Sequence, residues 1–243
     1  MPETLDVIAF GAHPDDAEAA CGGLLVRLAR AGYRVAICDL TRGELASNGS
    51  LEERAREAGE AASLLGLCAR LDLGLPDGGL DGRDREQIAA VVRLLRERGP
   101  RLVIAPHDRS RHPDHTEAAL LLRRAQFFTA VGRFASERSP TARPALLLAP
   151  DSYPVQPSFV VDIGDVLPTK LAALRCYRSQ FERRSGSVPT FINDPGYLQR
   201  VETMAHAYGQ LVGRPAAEPY VTETCLCLDD PLPALSAARE EAT

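Results

Sequence analysis

The sequence has no tryptophan, two methionines and a single lysine, Lys170, in 243 residues. Its 28 basic side chains are thus almost all arginine, and 33 acidic residues outnumber them, for a net charge of −5. That balance lacks the basic face that nucleic acid or an anionic membrane surface calls for. No run of roughly 18 apolar residues occurs, which argues against a membrane-spanning helix. The N-terminus, Met-Pro-Glu-Thr-Leu-Asp, has neither the basic segment nor the apolar core of a secretory signal, so a cytoplasmic location is expected. No Cys-x-x-Cys pair occurs. Cys21, Cys38, Cys68, Cys176, Cys225 and Cys227 suggest no disulfide framework, and most are expected to be reduced and buried. No glycine-rich dinucleotide or phosphate-loop motif is found.

What is present is an alternation of apolar runs and helical patterns. Strands are expected at 5–11, 34–40, 69–73 and 101–105, with helices at 16–31, 52–66, 84–98 and 114–128. Apolar strands alternating with helices predict an α/β fold: a Rossmann-like, doubly wound, mostly parallel sheet with helices on both faces. The second half is less regular. Strands are expected at 145–149, 158–163 and 220–228, the last placing Cys225 and Cys227 on one face, and helices at 165–179 and 195–212. One domain over residues 1–230 and a tail over 231–243 are expected.

Two short motifs carry the chemistry: His13-Pro14-Asp15-Asp16 after the first strand, and His112-Pro113-Asp114-His115 after the fourth. Alone, either is also what a capped helix start looks like, with Pro in the first turn. Together they say more. Strands 1 and 4 of a doubly wound sheet can lie side by side at its switch point, with their carboxyl ends facing one crevice. That would join His13, Asp16 and His115, the two imidazoles and one carboxylate of a catalytic zinc site with an open position. The same set accepts iron, cobalt or manganese. Asp15, beside a ligand but not itself one, is the expected general base, and His112 the expected oxyanion stabiliser. His107 is left unassigned, and His206 is expected to pack or face solvent.

AHPDDAE with HPDHTEAA resembles the PIG-L/LmbE-type zinc deacetylases of N-acetylglucosamine conjugates. CDLTRGELASNG, LPDGGL, DRSRHPDH, FVVDIGD and YRSQF look most like the bacillithiol-biosynthesis branch, which removes acetate from N-acetylglucosaminyl malate. The resemblance implies a small amino-sugar conjugate as substrate and a homo-oligomer, often hexameric. It assigns His13, Asp16 and His115 as zinc ligands, Asp15 as base and His112 as the second catalytic histidine. It also implies that Tyr197 helps the oxyanion and that Arg54 and Arg111 bind substrate. Arginine forks suit the carboxylates of malate. Ser47 and Asn48 are expected at the sugar pocket, although Asn48-Gly49 is equally a turn. The branch often has arginine where this chain has Gly78, a departure that bears on malate and not on the metal. Competing readings are deacetylation of a chitobiose-type, mycothiol-precursor or bacillithiol S-conjugate substrate, or a non-catalytic Rossmann-like binding module.

Overall fold

A computed structural model describes residues 3–135 and 137–229; the expected tail over 231–243 lies outside them. Five parallel strands form the main sheet: β1 (Val7–Gly11), β2 (Val35–Asp39), β3 (Ala69–Asp72), β4 (Leu102–Pro106) and β5 (Ala145–Ala149). Their order is β3-β2-β1-β4-β5. The order reverses between β1 and β4, which pair in parallel from Val7 opposite Leu102. This is the switch point, and the crevice beyond its carboxyl ends is where such folds bind ligands.

β1 and β2 are buried at every residue, as strands covered on both faces must be. Their side chains alternate between two cores. Val7, Ala9, Val35 and Ile37 face the layer that holds α1 (Asp16–Arg30), α2 (Leu51–Leu64), α5 (Leu167–Cys176) and part of α7 (Tyr197–Gln210). Ile8, Phe10, Ala36 and Cys38 face α3 (Arg85–Arg98) and α4 (Pro113–Phe128). Each such buried branched or aromatic side chain contributes roughly 1.5–3 kcal/mol, so the sheet is held from both sides and the loops at its end are fixed.

The second half departs from the sequence reading in three places. The helix expected at 165–179 is broken at Tyr177 into α5 and a short α6 (Arg178–Phe181). The last strand is β7 (Ala217–Tyr220), not 220–228, and it pairs antiparallel with β6 (Phe159–Asp162) in a separate ribbon. Cys225 and Cys227 therefore lie past the strand, exposed, as is Cys68, so half of the cysteines are not buried. The sequence Ala-Glu-Pro-Tyr hides its strand because it buries a charge. Glu218 takes a hydrogen bond from Lys170 Nζ at 2.7 Å. It also accepts the backbone N–H groups of Gly23 and Leu24, each at 2.8 Å, where α1 is kinked after Cys21.

Candidate active site

Four loops leave the carboxyl end of the sheet and converge. They follow β1, β3, β4 and β5, and each brings at least one ionisable side chain. At the end of β1, a Cβ on Gly11 would lie 2.7 Å from the His13 carbonyl oxygen, so glycine allows a turn too tight for any side chain. Asp15 then adopts φ 107° and ψ −24°, a conformation that costs a non-glycine residue on the order of 1–3 kcal/mol. Its carboxylate does not cap α1. It accepts a hydrogen bond from Arg54 Nη2 at 3.1 Å, while Asp16 Oδ2 accepts the His13 backbone N–H at 2.7 Å. The turn after β4 is relaxed by comparison: His112 is an extended N-cap and Pro113 opens α4.

The two turns bring His13, Asp16 and His115 together. Nδ1 of His13 and Nε2 of His115 lie 3.3 and 3.2 Å from Asp16 Oδ2. A tetrahedral ion with bonds of about 2.0–2.1 Å spaces its ligand atoms roughly 3.4 Å apart, and each imidazole stands at that spacing from the shared Asp16 oxygen. The remaining ring nitrogens are engaged. His13 Nε2 is 3.0 Å from Asp77 Oδ1 and 3.4 Å from Asp114 Oδ2. His115 Nδ1 is 2.5 Å from Asp151 Oδ2. A carboxylate that takes the outer N–H fixes the tautomer and turns the inner lone pair toward the shared point, as in metal-binding imidazoles. The donor atoms of His13, His112 and His115 also lie within 4.8 Å of one another, so His112 borders the same point.

Electrostatics favour a cation at that point. Burial pulls the His13 pKa down, but contacts with Asp114, Asp16 and Asp77 outweigh it and push it up to about 12. Burial also opposes ionisation of His115, and Asp16 and Asp151 raise it to about 10. Carboxylates that hold positive charge this strongly fit a divalent ion. Burial raises the Asp15 pKa to about 7, against the pull of Arg54, which leaves a carboxyl poised near neutrality. His112 is lowered, first by burial and then by the two other histidines. Its Nδ1 accepts the Asp114 backbone N–H at 3.3 Å, so the neutral ring carries its proton on Nε2. Burial and the charges of Asp15, Asp151 and Asp16 raise Tyr197, which keeps its hydroxyl protonated.

A cavity of about 460 Å³ opens above these groups, and His13, Asp15, Asp16, His112, His115, Tyr197, Ser47, Arg54 and Arg111 all border it. Arg111 is exposed at the rim, its guanidinium 3.8 Å from the centre of the Phe191 ring, and among the described residues it has no carboxylate in ion-pair range. Arg54 does more than border the cavity. It is buried, and it also donates to the Pro14 carbonyl at 2.7 Å, so it braces the strained turn as well as bordering the cavity. Asn48 is not on the wall. Its amide bonds Val188 through both atoms, at 2.9 and 2.8 Å. Gly78 has φ +71° and donates its N–H to Asp114 at 2.7 Å; an arginine there would strain this turn. His107 accepts the Arg109 backbone N–H and His206, exposed, meets the Pro215 carbonyl, so both lie outside the cluster.

Sequence reading missed Asp77, Asp114 as a partner of His13, and Asp151. The available signal was positional: Asp77 and Asp151 follow β3 and β5, the two outermost strands of the sheet, at the same sheet end as both motifs.

A Rossmann-like sheet with a buried His–Asp cluster at its switch point defines a class whose pocket could hold a metal ion. Known proteins narrow it. Residues 8–126 match the family model PIG-L, described as GlcNAc-PI de-N-acetylase. The conserved protein TT1542 from Thermus thermophilus has a solved structure that superposes with a TM-score of 0.85 at 36% identity, over 93% of this chain and 98% of that one. The N,N'-diacetylchitobiose deacetylase from Pyrococcus horikoshii gives 0.77 at 26% identity, over 88% and 82%. The uncharacterized deacetylase YaiS of Escherichia coli K12 is 32% identical over 114 residues, which take in 45% of this chain and 61% of YaiS. Over residues 8–126 the chain is thus similar to the PIG-L family.

Proposed function

We propose that this protein is a divalent-metal-dependent N-deacetylase of an N-acetylglucosamine conjugate, with N-acetylglucosaminyl malate as its substrate. The observation that carries the reading is the pair of imidazole nitrogens 3.2–3.3 Å from one Asp16 oxygen, beside a buried, strained Asp15 that is not needed to hold an ion. His13, Asp16 and His115 are assigned as the ligands. Zinc is the expected ion, since two imidazoles and a carboxylate with an open position suit it. When bound, it supplies Lewis acidity, acidifying a water and polarising the amide carbonyl.

The chain's own groups do the rest. Asp15 accepts the proton of the attacking water and later returns it to the departing amine; a pKa near 7 suits both transfers. His112 offers Nε2–H, and Tyr197 its hydroxyl, to the developing oxyanion. A neutral His112 can do this, so a protonated ring is not required. Family relatives support the amide of an amino sugar as the bond cleaved: one is a diacetylchitobiose deacetylase. The malate reading is supported by Arg111, an exposed guanidinium at the rim with no carboxylate partner among the described residues.

The test is acetate release by the zinc-loaded protein, with N-acetylglucosamine and its malate conjugate assayed in parallel. A clear preference for the conjugate is expected, abolished by chelation and restored by zinc. Equal rates on both would remove malate; no release from any N-acetyl sugar would remove the deacetylase reading.

A further inference from the structure

A second cavity, of about 480 Å³, lies against the first. The two share a wall built from Ala19, Asp151, Ser152, Phe191 and Tyr197. Their linings differ in kind. On the active-site side the wall residues meet Ser47, Asp77, Arg111 and Gln180, groups that suit sugar hydroxyls and a charged aglycone. The far chamber is bordered by Ala20, Val201, Met204, Ala205, Tyr208 and Pro219. Tyr153, Phe191 and Met204 are among the large apolar side chains left exposed in this structure, and all three border this chamber. Exposed apolar side chains gathered around one hollow mark a binding surface. The charges on the chamber's lining already have partners: Lys170 is paired with Glu218, which is further satisfied by two backbone N–H groups and the Tyr220 hydroxyl, Asp151 with His115, and Arg200 with Asp194. Nothing at its floor therefore calls for a charged ligand.

Resting on the deacetylase reading, we propose that this chamber is an acyl-chain pocket, and that the enzyme accepts N-acyl amino sugars with chains well beyond acetyl. A secondary amide is trans, so its two substituents leave the carbonyl in opposite directions. With the carbonyl carbon between Asp15, His112 and Tyr197, the polar chamber takes the sugar. The acyl tail then runs past Tyr197 and Asp151 into the apolar one. The reaction is unchanged: water adds to the carbonyl, the C–N bond breaks, the amine leaves with a proton, and a longer carboxylate is released in place of acetate.

The experiment separates binding from turnover. N-alkylsulfonyl glucosamines resemble the amide but are not hydrolysed. Calorimetry on the zinc-loaded full chain compares methyl-, butyl- and hexylsulfonyl derivatives, with octyl glucoside as the control for a tail on the other end of the sugar. Each methylene buried in the chamber should tighten binding by about three- to fourfold, so the hexyl derivative, five methylenes longer, is expected to bind on the order of 10²–10³-fold tighter than the methyl one. In hydrolysis, kcat/KM for N-hexanoylglucosamine should exceed that for N-acetylglucosamine. Met204→Trp fills the chamber from a half-exposed position and should bring the hexyl-to-methyl affinity ratio toward one; Val201→Phe provides the same check should the first variant misfold. Affinity independent of alkylsulfonyl length, or one that rises only with the octyl glucoside, overturns the proposal. Length-dependent binding without release of any carboxylate would keep the pocket and sink the deacetylase reading alone.

Discussion

The two His-Pro-Asp turns are nearly the same sequence and quite different structures. The turn after β1 is buried and strained, with Asp15 at φ 107° and its carboxylate held by Arg54. The turn after β4 is an ordinary helix start, with His112 extended at the N-cap and only half-buried. Both supply an imidazole to the same point, so a metal role does not need the strain. The difference lies in what else each turn does. Strain in the first points the Asp15 carboxylate away from its own helix and into the cavity, whereas relaxation in the second leaves His112 an N–H to donate. On the proposed mechanism the first turn is thus arranged around a base and the second around a donor.

The sharpest way to break that comparison is Asp15→Asn. The amide keeps the shape and the Arg54 contact but cannot take a proton. Turnover should fall by about 10²–10⁴, with zinc content by elemental analysis unchanged. Activity within about tenfold of the parent would make the strained turn structural only. His112→Gln on the other turn keeps a donor and should cost less, closer to about tenfold; a loss equal to that of Asp15→Asn would erase the distinction between base and donor.

How far this was readable from the sequence follows the same divide between what is local and what is assembled. The order of strands and helices through Phe128 is legible because each buried strand is a continuous apolar run and each helix repeats at its own period. The two motifs are legible because each fits in four residues. The carboxylates behind the imidazoles are not. Asp77 stands in a turn and Asp151 in a polar loop, both with the composition of any surface connection, and only strand order brings them to the cluster. β7 failed for a related reason: Glu218 looks like a solvent residue until Lys170, 48 positions away, is seen against it. Arg54 was legible as important and illegible as to why, since its partner lies 39 residues upstream.

A second prediction tests those hidden partners. Asp151→Asn leaves an amide that can accept the N–H of His115, but without the charge that holds the ring. Zinc affinity should weaken by about 10–100-fold, measured by competition with a chelator. An unchanged affinity would mean that the 2.5 Å contact orients nothing that matters to the ion.

A third concerns the two arginines expected to bind substrate. Arg111→Ala should raise KM for the malate conjugate by about tenfold, the value of one charge-assisted hydrogen bond, and leave N-acetylglucosamine nearly unaffected. Arg54→Ala should instead lower kcat on both, because it removes the brace on Asp15. Identical patterns in the two variants would contradict the division of labour between rim and turn.

The smallest effect is expected at Asn48, whose amide is already engaged within the fold. Its amide ties the loop before α2 to Val188 with two hydrogen bonds, one donated and one accepted. Both are near the surface, so Asn48→Ala should cost about 1 kcal/mol, which for a chain of this size lowers Tm by roughly 2–4 °C. KM for any N-acetyl sugar should stay within about twofold, since the side chain is absent from the cavity wall. The two loops it joins both approach the site, through Ser47 on one and Thr190 and Phe191 on the other, so a modest rise in KM with a matching loss of Tm would still reflect the tie between them. A rise in KM of about tenfold with Tm unchanged would not, and would return Asn48 to the substrate.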